Sequence, residues 1–397
     1  MTDPRHLALA RTVMRHSTQL QPGEAVLIDA MDADDGLVTA LVEEAYECGG
    51  LPLVQLRRSR IVRRHLRAGR EEQIRLSAEI ELFQMRRVQA YVGVRGGDNA
   101  TELADVPHEG VALNARLFVK PVHMEQRVNH TKWVVLRCPT PSMAQLAGMS
   151  TEAFESLYYE VCLLDYARMS EAIAPLAERM RRTSRVRLTG PGTDLRFGIA
   201  GIGVAPCEGF HNLPDGECFT APVRDSVEGT IAFNVPSAYQ GRTFSSLRLT
   251  FAEGRVVHAD GEPAAELERL LSLDEGSRYL GEFSLAFNPH LLHPMRDTLF
   301  DEKIAGSLHV ALGQAYTRAD NGNRSQIHWD LVQIQRPDYG GGEVWFDDTC
   351  VRRDGRFVTP DLEGLNPENL RDAATDRGAA PPIEEELRVS LPGPATR

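Results

Sequence analysis

The chain opens with apolar positions at helical spacing. Residues 4–18 read as a helix that stops before the turn Pro22-Gly23-Glu24. Residues 25–29 are short, apolar and strand-like. Residues 34–48 return to a helical spacing, with Leu37, Leu41, Val42 and Ala45 on the apolar face. Asp34 or Asp35 is placed to cap that helix, and Gly49-Gly50 to end it. Residues 51–56 form a second strand. Strand, helix and strand in that order make a β-α-β unit, which dictates a parallel sheet with a right-handed crossover. Residues 88–94 and 132–136 supply further strands of the same layer.

A helical stretch over 151–182, one broken helix or two, leads into a different texture. Residues 186–189, 195–199, 230–233, 247–251, 255–260, 283–287 and 326–334 are short runs divided by turn residues, the pattern of a mainly antiparallel sheet. Between them, residues 298–316 read as a helix that ends near Gly313. The spacing therefore predicts an α/β N-terminal domain with a parallel sheet, including the connecting helix (1–180). An α+β C-terminal domain with a mainly antiparallel sheet follows (181–370), then a mobile tail (371–397) rich in Ala, Pro and Glu. No internal repeat is present.

Composition narrows the function classes. At 397 residues the chain exceeds one ordinary core, which agrees with two domains. A net charge of −12 and a pI near 5.5 argue against nucleic acid as the main partner. No run of about 18 apolar residues offers a membrane span. The N-terminus lacks a signal core, so the expected compartment is the cytoplasm. The six cysteines are scattered with no Cys-x-x-Cys pair, which predicts neither a zinc knuckle nor a disulfide framework. Arg57, Arg58, Arg60, Arg63, Arg64, Arg67 and Arg70 read as a solvated helix paired with Glu71 and Glu72, rather than a binding face. Gly190-Pro191-Gly192 and Gly201-Ile202-Gly203 lack the following Lys-Ser/Thr of a phosphate loop, and no Gly-x-Ser-x-Gly elbow occurs.

The candidate chemistry lies in the second half. His328 and Asp330 are two apart in a strand-like run, so their side chains share a face. Together they can grip a cation; equally, the aspartate can orient a packed histidine. His309 sits among apolar residues. Tyr316, seven positions later, would fall near the same face of a continuous helix. Gly313 opposes that continuity and favours a Tyr316 that returns from a loop. Glu217 and Glu282 each precede apolar residues, at the mouth of a strand. Singly, each of these residues is more often structural. As a set, carboxylates, imidazoles and a phenol suit zinc, cobalt or manganese better than calcium. Two ions about 3.5–4 Å apart need a bridging carboxylate, and together they activate water and polarise a carbonyl.

At these residues the chain resembles the aminopeptidase T and aminopeptidase S family of metallopeptidases, from Asp3-Pro4-Arg5 to about Leu370. The specific blocks are Leu213-Pro-Asp-Gly-Glu-Cys-Phe-Thr-Ala-Pro222, Tyr239-Gln-Gly-Arg242, Tyr279-Leu-Gly-Glu282, Leu299-Phe-Asp-Glu-Lys303, His309-Val-Ala-Leu-Gly-Gln-Ala-Tyr316 and Asn323-Arg-Ser-Gln-Ile-His-Trp-Asp330. The resemblance implies two divalent ions (zinc, cobalt or manganese) held by Glu217, Glu282, His309, Tyr316, His328 and Asp330. It also implies Glu282 as the bridging ligand. A general base is needed, with Glu217 as the candidate and Asp301 and Glu302 beside it. It further implies an aminopeptidase that removes the N-terminal residue of short peptides, working as a homodimer. The same scaffold serves mononuclear enzymes that act on aromatic rings, an aminohydrolase and a ring-opening dioxygenase; a six-ligand set favours the peptidase. A non-enzymatic binding protein on this scaffold would hold no metal. The chain departs from the family in a shorter segment between Tyr316 and His328, and in a tail beyond Leu370. It also carries extra histidines at His290 and His293, which are read as loop residues, with metal or substrate contact as the alternative.

Overall fold

The computed structural model describes residues 3–371. The tail expected at 371–397 lies, apart from Arg371, outside the described residues.

The first half forms the expected parallel layer. Strands β1 (Ala25–Met31), β2 (Leu51–Arg57), β3 (Ala90–Arg95) and β4 (Lys132–Arg137) pair in the order β2-β1-β3-β4, all parallel. Asp34 caps the intervening helix Asp35–Glu47, accepting from the backbone N–H groups of Gly36 and Leu37 at 2.8 and 3.2 Å. A short strand from far downstream, Asn212–Leu213, adds to β4 in parallel. That junction anchors the segment leading directly to Glu217. The helical stretch over 151–182 resolves into two helices, Thr151–Cys162 and Tyr166–Arg182. Among the described residues, no helix is long and apolar enough to cross a membrane.

The second half holds two antiparallel sheets. Among the described residues the larger has nine strands, between Arg185–Gly190 and Arg356–Phe357. The smaller is built from β5 (Glu217–Thr220), β6 (Leu280–Ala286), β7 (Ser307–Gly313) and β8 (His328–Ile334), with Ala205–Cys207 at its edge. Both β6 and β7 are buried along their whole length. One face of this sheet is apolar: Phe283 pairs across Val310, which pairs across Leu331. It packs on the larger sheet, with Phe283 edge-on to Phe197 at 5.0 Å and Trp329 stacked on Tyr239 at 5.4 Å.

Two expectations need correction. Residues 298–316 are not one helix. A single turn, Thr298–Asp301, is followed by strand β7. A central strand buried on both faces shows no period of two, so its apolar run mimics a helix segment. The basic run is solvated, and its helix Ser59–Ala68 buries no residue, but its partners differ. Arg63 and Arg67 pair with Asp105, while Glu71 is taken by Arg75 one helical turn later. Arg57 belongs to β2 and pairs with the buried Asp29 and with Glu81.

Gly313 ends β7 with φ +101°, and a Cβ there would meet the Ile327 carbonyl oxygen at 2.2 Å. Gly313→Ala should therefore destabilise the chain by about 2–4 kcal/mol. Chemical denaturation reads this directly, and an unchanged midpoint would refute the strained geometry.

Candidate metal centre

The polar face of the smaller sheet follows from its register. Directly paired residues of antiparallel strands point to the same side. Asp330 pairs across Ala311, and Ala311 across Glu282. Ser284 pairs across His309, and Gly313 across His328. Ala286 pairs across Glu217. Four strands thus bring Glu217, Glu282, His309, His328 and Asp330 to one surface. The small Ala311 between Glu282 and Asp330 leaves room for their carboxylates to converge.

The distances complete the arrangement. His309 Nε2 lies 3.2 Å from Glu282 Oε1 and 3.4 Å from Glu217 Oε2. His328 Nε2 lies 3.4 Å from Glu282 Oε2 and 3.3 Å from Asp330 Oδ1. Glu282 therefore stands between the two histidines. Its Oε2 is buried, with His328 Nε2 at 3.4 Å and no hydrogen-bond partner. The other ring nitrogen of His328 is 2.7 Å from the Gln314 carbonyl oxygen. In the neutral ring, donation to that carbonyl would leave the Nε2 lone pair aimed at the cluster, where a cation could take the place of the proton. Tyr316 comes from the loop after β7, and its ring lies over His328 at 4.4 Å. It keeps 45% exposure, so it forms the open rim of the site.

A second layer lies behind Glu217. Lys303 is fully buried, with Nζ 2.7 Å from Glu217 Oε1, 2.5 Å from Glu302 Oε1 and 4.0 Å from Asp215 Oδ1. Ser284 donates to Glu217 Oε2 at 3.0 Å. Asp301, the other candidate beside the site, instead receives the Met295 backbone N–H, at 2.5 Å.

Burial governs the charge states. It raises Asp215 to about 7 against the pull of Lys303, and Glu302 to about 8 in the same contest. Burial opposes protonation of His309, but Glu217 and Glu282 outweigh it and lift the imidazole to about 9. The same balance lifts His328 well above its usual value, through Tyr316 and Asp330. Asp330 is held near 2, because the His328 charge overcomes burial. The protein's own groups thus take up protons wherever positive charge is wanted.

Three groupings of metal-type donors occur among the described residues, each with ligand atoms within 4.8 Å of one another. They are Glu217–Glu282–His309, Glu282–His328–Asp330 and Cys207–Asp215–Glu217. The first two share Glu282. Oxygen and imidazole donors, an orphaned carboxylate oxygen and a surplus of buried negative charge all fit divalent cations. His290 and His293 belong to none of the three. Sequence reasoning placed Lys303 inside a family block without a role and missed Asp215. A charged Asp-Glu-Lys triplet ordinarily reads as solvated surface, and only the fold turns its lysine inward.

A family model described as thermophilic metalloprotease (M29) matches residues 3–357. Aminopeptidase T of Thermus thermophilus is 30% identical, covering 88% of this chain and 97% of its own length. The solved structure of wild-type AmpT from Thermus thermophilus superposes with a TM-score of 0.76 at 27% identity, covering 90% of this chain and all of its own. A 2,5-dihydroxypyridine dioxygenase from Pseudomonas putida shares the fold at 13% identity, with a TM-score of 0.60, 90% of this chain and 98% of its own covered.

The charge balance has a consequence for stability. His309 and Glu302 have folded pKa values raised above their ordinary 6.5 and 4.5. The stability each contributes is complete below the ordinary value and is lost as pH rises through about 9 and about 8. Metal-stripped protein in chelator should therefore lose urea resistance between pH 6.5 and 9, and added divalent metal should restore it. Rising stability over that interval without metal would contradict this charge assignment.

Proposed function

This chain belongs to the thermophilic metalloprotease (M29) family and is a metal-dependent aminopeptidase, and on that premise we propose that Glu217, Glu282, His309, Tyr316, His328 and Asp330 form its metal centre. The carrying observation is the pair of donor groupings that share Glu282. We take them as seats for two divalent ions, zinc, cobalt or manganese, with Glu282 bridging. The surroundings favour cations: five carboxyl groups, Asp215, Glu217, Glu282, Glu302 and Asp330, gather around the one ammonium of Lys303.

Cations held there would supply Lewis-acid activation of water and of the scissile carbonyl. The chain's own residues do the rest. Glu282 is enclosed by two histidines and serves as a ligand rather than a proton carrier. Glu217 keeps Oε2 toward the centre of the face and is our candidate to take the proton from water. Tyr316 and His328, in tilted ring contact at the rim, bound the entry for the substrate's N-terminal residue.

We further propose a homodimer acting on short peptides in the cytoplasm, with the chain divided near residue 180 into an N-terminal domain and a catalytic domain. Support for self-association comes from the free edge of β2. Leu51, Leu53, Val54 and Leu56 are exposed there, alongside Leu76, Ile80 and Phe83 on the neighbouring helix Glu71–Met85. A patch of that kind is ordinarily covered by a partner.

Two measurements test the centre. Chelation should abolish hydrolysis of aminoacyl anilides, and activity should return in proportion to a second equivalent of metal. Full activity at one equivalent, or oxygen consumption, would point to a mononuclear ring-acting enzyme instead. Glu217→Gln should lower kcat by about 10²–10⁴-fold with an unaltered circular-dichroism spectrum; wild-type turnover would remove Glu217 from the mechanism.

A further inference from the structure

The third donor grouping, Cys207–Asp215–Glu217, is already served by a cation of the chain's own. Lys303 Nζ reaches Glu217 Oε1 at 2.7 Å and Asp215 Oδ1 at 4.0 Å. A wholly buried ammonium is costly unless it is paired on several sides, and Glu302 supplies the third carboxylate at 2.5 Å. The backbone fixes this placement. Lys303 presents its carbonyl to the Asn288 N–H at 3.0 Å, and the Asn288 side chain donates to the Asp215 carbonyl at 2.8 Å. One asparagine therefore registers the lysine against the segment that carries Asp215 and Glu217.

We propose that Lys303 is a positioning residue that acts as a permanent monovalent cation. It holds Glu217 by Oε1, leaves only Oε2 for the His309 side, and makes the divalent seat at Glu217–Glu282–His309 weaker than the seat at Glu282–His328–Asp330. This rests on the metal-centre reading above and deepens it, by ranking the two seats. The sign follows from Coulomb's law. The ammonium repels a nearby divalent ion and shares the charge of Glu217. Glu302, when ionised, works the other way, since its carboxylate then screens the ammonium. Lys303 is in direct contact with Glu217, a ligand of one seat only, and reaches Asp330 as a longer-range charge, so the two seats feel it unequally.

The test is calorimetric titration of Mn²⁺ into metal-stripped full-length protein above the value of about 8 to which burial raises Glu302, so that this group is ionised, for the wild type, Lys303→Met and Glu302→Gln, with thermal melts in parallel. Losing the ammonium should tighten the weaker seat by about tenfold or more. Neutralising Glu302 should weaken that same seat, and the tighter seat should change least in both variants. A purely structural role predicts loss of affinity in both variants, so shifts of equal sign, or equal shifts at both seats, overturn the proposal. If Lys303→Met does not fold, Glu302→Gln decides alone: weakening confined to one seat supports the proposal, and no change or equal loss at both overturns it. Wild-type protein that takes up no Mn²⁺ overturns the metal centre itself. That outcome is distinct from a wild type that fills two seats while the variants fail to diverge.

Discussion

The crowding of buried carboxyl groups on one face of a β-sheet is the constraint on which this structure turns. Asp215, Glu217 and Glu282 are buried, and Glu302 and Asp330 keep only 13% and 11% of their side chains exposed. Carboxylates so placed repel one another in a medium that screens poorly. One lysine and two histidines are the positive or chargeable groups at hand. Protons on His309 and His328 are the chain's own remedy, and their raised pKa values express it. A divalent cation is the better remedy, because it gathers several oxygens and nitrogens at once.

The sheet makes that concentration of charge possible. Alternation sends Phe283, Leu285, Val310 and Leu331 to a packed apolar interface, and Glu282, His309 and Asp330 to the opposite side. The apolar face contributes the burial that offsets the cost of the polar one. Local devices then tune the site: Ala311 opens space between two carboxylates, Gly313 turns the chain so that Tyr316 returns over His328, and the Gln314 carbonyl fixes which nitrogen of His328 faces the cluster. The parallel sheet contributes from a distance, by pairing Asn212–Leu213 with β4 and so aiming Glu217 into the antiparallel sheet.

Much of this was legible in one sequence, and the exceptions have physical causes. The β-α-β opening was readable because half-buried elements show their period, and Asp34 and Asp35 together marked the cap that Asp34 supplies. The shared face of His328 and Asp330 followed from the strand period alone. Residues 307–313 misled because a strand enclosed on both sides loses its alternation and looks helical. The convergence of Glu217, Glu282 and His309 was not derivable from spacing, since it depends on strand order; resemblance to a known family supplied it. Lys303 was invisible in a different sense. Its charge marks it for the surface, and only Asp215 and Glu217 arriving from elsewhere, beside the adjacent Glu302, make its burial tolerable.

Glu282 is proposed to lie between two cations. An anomalous difference map from zinc-loaded crystals, with data collected on both sides of the zinc absorption edge, examines that directly. That placement predicts two separate peaks flanking the Glu282 carboxylate, one on the His309 side and one on the His328 side. A single peak, or peaks away from this carboxylate, would contradict it.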